Sequence, residues 1–379
     1  MRSKLPHVGT TIFTVMSKMA QDYNAINLSQ GFPDFDCPPR LKELVIHYLD
    51  QRKNQYPPMA GIPALREQIA AKVLSLYGVK VDTDEEVTVT SGATEALFSA
   101  VQATVSAGDE VIILDPAYDS YAPAIELAGA RAVRVPLRLP DYSADWNCVR
   151  DAISGKTRLI IVNSPHNPCG SVFTTDDLDT LAEITRNRDI LVLSDEVYEH
   201  MVYDEGRHCS VLCHPELKSR SFAVFSFGKT YHVTGWKIAY CVAPPALTAE
   251  FRKVHQFVTF TTTSFLQYAL ADFMAECPEH ATELPRFYQR KRDFFCRLMK
   301  DSRFQCVPSK GTYFQLADYS EISDRQDVEF ANFITREKGV AAIPLTPFYE
   351  KPPGTKILRF CFCKDDDTLI AAAERLRRL

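Results

Sequence analysis

Several absences narrow the field before any motif is considered. Charge of one sign is not in excess: 43 Lys and Arg against 48 Asp and Glu leave a formal net charge of −5. That balance gives no reason to expect nucleic acid or an anionic membrane as a partner. No apolar run is long enough to span a bilayer. The opening residues, Met1-Arg2-Ser3-Lys4-Leu5-Pro6, lack the apolar core of a signal peptide, so a cytoplasmic location is expected. Paired cysteine spacings are missing as well. The eleven cysteines are scattered and odd in number. Cys209, Cys213 and His214 have no second ligand pair, so no metal site is expected. Cys241, Cys361 and Cys363 lie in apolar settings where a free thiol acts as a small hydrophobe in a reducing compartment. There is no internal repeat and no low-complexity tract.

What is present is the composition of a globular protein, 46% hydrophobic and 24% charged over 379 residues, enough for two domains. Apolar runs read as strands at Glu86–Thr90, Val111–Leu114, Arg158–Asn163, Ile190–Ser194, Ser221–Phe227 and Ile238–Val242. Helical patterns lie between them at Ala93–Val105, Tyr121–Ala128 and Thr175–Asn187. That alternation predicts an α/β fold with a mostly parallel sheet covered on both faces. After about Pro244 the character changes. Long helical stretches lead to a charged helix around Pro285–Lys300, then strands at Thr312–Leu316 and Lys356–Cys363 and a last helix from Asp366. We expect a large domain over residues 41–275, and a smaller α+β domain made of 276–379 with the N-terminal segment 1–40.

Four strand ends carry one chemical theme. Lys229 follows the apolar run Phe222-Ala223-Val224-Phe225, where open α/β folds place ligands. Apolar surroundings would lower its pKa and leave an amine able to attack a carbonyl, although alone it reads as an ordinary loop lysine. Thr90-Ser91-Gly92-Ala93-Thr94 exposes N–H groups at a helix start, a ready anion site that is equally a plain turn. Asn163-Ser164-Pro165-His166-Asn167-Pro168-Cys169-Gly170 is a rigid turn in which the Asn167 amide could donate to a bound oxygen. Ser194-Asp195-Glu196-Val197-Tyr198 ends an apolar strand in two carboxylates, which suit a helix cap, a salt bridge or a heteroaromatic N–H⁺. Ser226 and Lys237 could hold the same anion as the helix start. Together these segments describe a site for an anionic aromatic cofactor with a carbonyl.

The run Ser226-Phe227-Gly228-Lys229-Thr230 through Gly235-Trp236-Lys237 resembles the lysine signature of class I pyridoxal-phosphate aminotransferases. The Asn163–Gly170 and Ser194–Tyr198 blocks resemble two further signatures in the family's order. Gln30-Gly31-Phe32-Pro33-Asp34-Phe35, the Tyr56–Arg66 segment and Leu358-Arg359-Phe360 also match, and Gln30–Phe35 with Phe227-Gly228-Lys229-Thr230 look most like the branch that holds the methionine and kynurenine aminotransferases. The resemblance implies the type I fold of pyridoxal-phosphate-dependent transferases, with a seven-stranded sheet in its large domain. It also implies a homodimer with its sites at the subunit interface.

For this sequence the resemblance implies that Lys229 forms the imine with pyridoxal 5′-phosphate and shuttles the substrate proton. Asp195 pairs with the ring nitrogen, and Asn167 and Tyr198 bond the ring oxygen. Tyr118 stacks on the ring, a role that only the resemblance lifts above a core aromatic. Ala93, Thr94, Ser226 and Lys237 bind the phosphate, with Tyr56 reaching a partner's. Arg359 clamps the substrate carboxylate bidentately, Gly31 adds backbone contacts, and Phe13 lines the substrate side. Two positions depart from the broader family: Lys237 stands where most members have arginine, and Gly228 where serine is common.

No second arginine is placed to read a side-chain carboxylate. Phe13, Phe32, Tyr56, Tyr118 and Phe348 could form an apolar pocket, which favours methionine or aromatic amino acids as donors and a 2-oxo acid as acceptor. Kynurenine transamination and C–S β-lyase activity would use the same site. A cofactor-binding regulator would need a DNA-binding module ahead of a signature that already begins within the first 30 residues or so, so an enzyme is expected.

Overall fold

A strand that is apolar on both faces has to be covered on both, and that sets the architecture. The structure, a computed structural model, describes residues 3–379; Met1 and Arg2, at the head of the segment read for a signal core, lie outside the described residues. In chain order the strands are β1 (Ile26–Asn27), β2 (Val87–Thr90), β3 (Glu110–Asp115), β4 (Arg131–Pro136), β5 (Thr157–Asn163), β6 (Leu191–Asp195), β7 (Ser221–Ser226) and β8 (Ala239–Val242), followed by β9 (Phe314–Asp318), β10 (Val340–Ala341), β11 (Ile343–Pro344) and β12 (Ile357–Cys361). Seven of them form one sheet in the order β2-β8-β7-β6-β5-β3-β4. Only β8 runs against the rest, pairing antiparallel with both β2 and β7. The strands β2 and β3 are buried along their whole length, as both-face coverage requires.

The sequence reading omitted β4 and the helix Trp146–Ala152. Both omissions have a physical cause. β4 is the sheet's edge and carries Arg131 and Arg134, so its apolar run is broken. The short helix is announced mainly by its Asp145 cap, whose side chain accepts from the N–H groups of Asn147 and Cys148. The charged helix is also longer than expected. It spans Glu279–Met299, with Pro285 inside it rather than at its start.

The chain's two ends meet in a second layer. β1 pairs with β10, and β11-β12-β9 form an antiparallel sheet. Leu28 is tied to both: its N–H donates to Ala341 (3.0 Å), and its carbonyl accepts from the N–H of Cys361 (2.8 Å). This puts Ser29, Gln30 and Gly31 opposite Arg359, above the C-terminal edge of the large sheet. Among the described residues no helix is long and apolar enough to cross a membrane, and no three His, Cys, Asp or Glu side chains gather as a metal site.

Candidate active site

Parallel strands end together, so their following loops meet. β2 delivers Gly92, Ala93 and Thr94 at the start of helix Ala93–Thr104. β3 is followed by Tyr118 and β5 by Asn167; β6 ends at Asp195 and is followed by Tyr198, and β7 ends at Ser226 and is followed by Lys229. β8 adds Lys237 because it runs backwards: its first residue, Ala239, pairs with both Thr90 and Ser226, so the residue that feeds it enters at the same edge. Ala93, Thr94, Tyr118, Asn167, Asp195, Tyr198, Ser226, Lys229 and Lys237 line one cleft, closed on the other side by Phe13, Gly31 and Arg359.

Lys229 lies on a four-residue helix, Phe227–Thr230. Its Nζ donates to the Tyr313 hydroxyl (2.8 Å) and the Gly31 carbonyl (3.3 Å). Among the described residues it has no carboxylate partner within ion-pair distance. Burial pulls the ammonium down to about 8, and the neighbouring cations Lys237 and Arg359 push the same way. Asp195 shows the converse. Burial raises its carboxyl to about 6, against the opposing pull of the Tyr121 hydroxyl, which donates to Oδ2 at 2.7 Å. Its other oxygen has only a long bond from the Val197 N–H (3.4 Å). A buried carboxylate with spare acceptor capacity suits a cationic N–H ligand.

Arg359 is 1% exposed and meets no carboxylate among the described residues. Nη1 donates to Asn167 Oδ1 (2.7 Å) and Nη2 to the Ser29 carbonyl (2.9 Å), while buried Nε has no partner. The guanidinium lies 3.8 Å from the centre of the Phe314 ring. A buried cation held only by neutral acceptors, with an N–H to spare, is a cradle for an anion that comes from outside the chain. Because Asn167 gives its oxygen to Arg359, its amide N–H groups are the free end.

At the opposite end, Gly92 (φ 85°) turns the chain into helix Ala93–Thr104. A Cβ at Gly92 would come within 2.9 Å of Lys237 Cε and 3.1 Å of its Nζ, so the ammonium packs directly over the helix start. Lys237 is itself left-handed at φ 54°. Helix N–H groups, the Ser226 hydroxyl and a lysine ammonium form a donor set for a phosphate. The lining of the cleft also includes Leu97, Tyr118, Val197 and Ile238, apolar enough for a ring. The residues present therefore fit pyridoxal 5′-phosphate.

Three residues expected to line the apolar side-chain pocket lie elsewhere. Tyr56 is 83% exposed, stands outside the cleft and meets Phe260 edge-on at 5.4 Å. Phe32 is exposed beneath Lys364, whose Nζ is 4.5 Å from the ring centre. Phe348 is buried behind Phe13 at 5.6 Å and supports that ring rather than lining the cleft. Sequence reasoning missed Tyr121 and Tyr313, the partners of Asp195 and Lys229. Tyr121 opens the helix Tyr121–Leu127 three residues after Tyr118 and meets its ring edge-on at 5.6 Å, so only its closeness in the chain to Tyr118 could have flagged it. Tyr313 gives none, since it comes from the distant entry to β9, where it also donates to the Gly31 carbonyl (2.5 Å).

Comparison with known proteins places this arrangement among others. A family model described as aminotransferase class I and II matches residues 23–376. The methionine aminotransferase of Escherichia coli (strain K12) is 52% identical over 378 residues, covering 100% of this chain and 98% of that protein. Kynurenine–oxoglutarate transaminase 3 of Rattus norvegicus is 35% identical, covering 97% of this chain and 87% of that protein. A solved Escherichia coli structure, whose reactivity identified a methionine aminotransferase function, has a TM-score of 0.98 at 52% identity and covers 100% of this chain and 99% of that chain.

Proposed function

We propose, for a chain that belongs to the class I and II aminotransferases, that this cleft holds pyridoxal 5′-phosphate and moves the amino group of methionine or an aromatic amino acid to a 2-oxo acid. The observation that carries the reading is Arg359: a buried guanidinium without a carboxylate, facing the same cleft as an amine of lowered pKa. The cofactor, when bound, takes up the amino group and spreads the electrons left when the substrate Cα–H bond breaks.

The chain's own residues do the rest. Lys229 binds the cofactor carbonyl, and its amine, once released, stands where it can take the proton from the substrate Cα and return it on the other side of the transfer. Asp195 keeps a hydrogen on the ring nitrogen, with Tyr121 holding the carboxylate in place. The Asn167 amide and the Tyr198 hydroxyl bond the ring oxygen, and Tyr118 covers the ring face. Ala93, Thr94, Ser226 and Lys237 hold the phosphate. Arg359 grips the carboxylate of the amino acid in the first half-reaction and of the oxo acid in the second, with Gly31 and Phe13 beside it. One grip for two substrates in turn is what a ping-pong cycle requires.

Donor preference follows from what stands near Arg359. Phe13 and Phe314 lie against the guanidinium, and among the described residues no further arginine or lysine lines that end of the cleft. An apolar side chain is matched there and an acidic one is not. Kynurenine, another aromatic substrate of a relative, fits the same description. Tyr56 and Phe260 form an exposed aromatic pair that suits a homodimer contact, with Tyr56 serving a partner's phosphate. Eleven free thiols suit a reducing cytoplasm.

The test is the visible absorbance of the protein with pyridoxal phosphate, before and after L-methionine without an oxo acid. The band should form and then convert, and Lys229→Ala should do neither. A band that forms and ignores methionine and aromatic amino acids would overturn the substrate reading; no band would overturn the cofactor reading.

A further inference from the structure

The helix start that would hold the phosphate contains a carboxylate of its own. Glu95 is the third residue of helix Ala93–Thr104. Its Oε2 accepts from the Ser91 N–H (3.1 Å) and its Oε1 from the Ser99 hydroxyl (2.7 Å). A carboxylate caps a helix start well. It also puts a negative charge beside a site for an anion, which by itself weakens phosphate binding.

His255 stands against it, fully buried near the end of helix Pro245–Val258. Its Nδ1 lies 3.0 Å from Glu95 Oε1, and its Nε2 lies 3.1 Å from the Met59 carbonyl. A carboxylate oxygen and a carbonyl oxygen both accept, so a ring that satisfies both donates from both of its nitrogens. The same residue reaches the Tyr56 segment twice. Its ring holds Met59, and its backbone carbonyl accepts from the N–H groups of Thr259 (3.0 Å) and Phe260 (3.3 Å), the latter stacked edge-on to Tyr56.

We infer that His255 is a positioning residue for phosphate binding: it neutralises Glu95 at the phosphate turn and ties that turn to the segment carrying Tyr56. The inference rests on the phosphate reading above. His255 does not touch the cleft, so its effect is confined to the phosphate end of any ligand.

The test compares dissociation constants for pyridoxal phosphate and for pyridoxal, which lacks the phosphate, in the unliganded protein and its variants, read by absorbance and protein fluorescence. His255→Gln keeps one amide donor and loses the charge. It should weaken pyridoxal phosphate roughly five- to tenfold while leaving pyridoxal within about twofold. Glu95→Gln removes the carboxylate instead and should hold or strengthen pyridoxal phosphate. The double variant should regain most of the loss, a recovery that a purely structural role would not produce. Equal loss for both ligands, no loss, or no recovery would each overturn the inference. If His255→Gln does not fold, Glu95→Gln decides alone: weaker binding confined to the phosphate ester overturns it. Failure of the wild type itself to prefer the phosphate ester over pyridoxal would instead overturn the cofactor reading, and this inference with it.

Discussion

Two buried clusters of charge lie on either side of one strand end, and they are built on opposite rules. In Ser194-Asp195-Glu196 the alternation of a strand sends Asp195 one way and Ser194 and Glu196 the other. On the Glu196 side both carboxylate oxygens are engaged. Glu196 takes the Ser194 hydroxyl (2.8 Å), the Val211 N–H (3.0 Å) and His208 Nε2 (2.7 Å). Nearby, Glu199 is paired with Lys72 and takes the Tyr77 hydroxyl at 2.5 Å. On the Asp195 side the accounts are open: Asp195 has one good partner, and neither Lys229 nor Arg359 has a carboxylate. Closed networks hold the scaffold, whereas open ones wait for a ligand.

The largest expected effect tests the open side. Lys229→Ala should lower turnover of amino acid and oxo acid by about 10³-fold or more, with the fold intact by circular dichroism. The comparison is sharpest between two cations. Lys72→Met leaves Glu199 buried without its lysine partner and should cost about 3–5 kcal/mol in denaturant unfolding, with little change in the kcat of folded enzyme. Arg359→Met breaks no ion pair; it should leave unfolding nearly unchanged and raise KM for both substrates by about 10²-fold. If Arg359→Met destabilises as much as Lys72→Met, the distinction between the two clusters collapses.

The paired carboxylates give the next contrast. Asp195→Asn should remove most activity at little cost in melting temperature, and Glu196→Gln should do the reverse, by about 1–3 kcal/mol of stability. The smallest effect is in pH. The folded value of Lys229, about 8, lies below its ordinary 10.5. The unfolded chain therefore holds a proton that the folded chain has released, and stability of the unliganded protein should rise with pH between about 8 and 10.5. Lys229→Met should flatten that rise in urea titrations. The rate of pyridoxal capture by the unliganded protein should fall about tenfold per unit below pH about 8; a flat rate would refute the lowered value.

The large sheet was legible because its strands are apolar on both faces and its turns are dense in Gly, Pro and Asn. Lys229, Asp195 and Asn167 follow from strand ends. The edge strand β4 escaped because exposure removes the apolar signal. Strand alternation could have separated Asp195 from Glu196, but only once the face toward the cleft was known. The partners that tune the site were harder: Tyr313 and Phe314 come from another sheet, and His255 from a helix more than 150 residues from Glu95. Local sequence carries no trace of such encounters.

Arg359 takes its hold on the Ser29 carbonyl across 330 residues. A ribosome adding about 5–20 residues per second therefore leaves Ser29 waiting on the order of tens of seconds for its counterpart. The large sheet, which ends at Val242, can assemble during that interval, but the proposed grip of Arg359 on a substrate carboxylate cannot. Nascent chains released before Arg359 emerges should bind no amino acid, however well their sheet is formed, and a series of truncated translation products would show the onset. Competence to bind substrate is thus among the last properties the growing chain acquires.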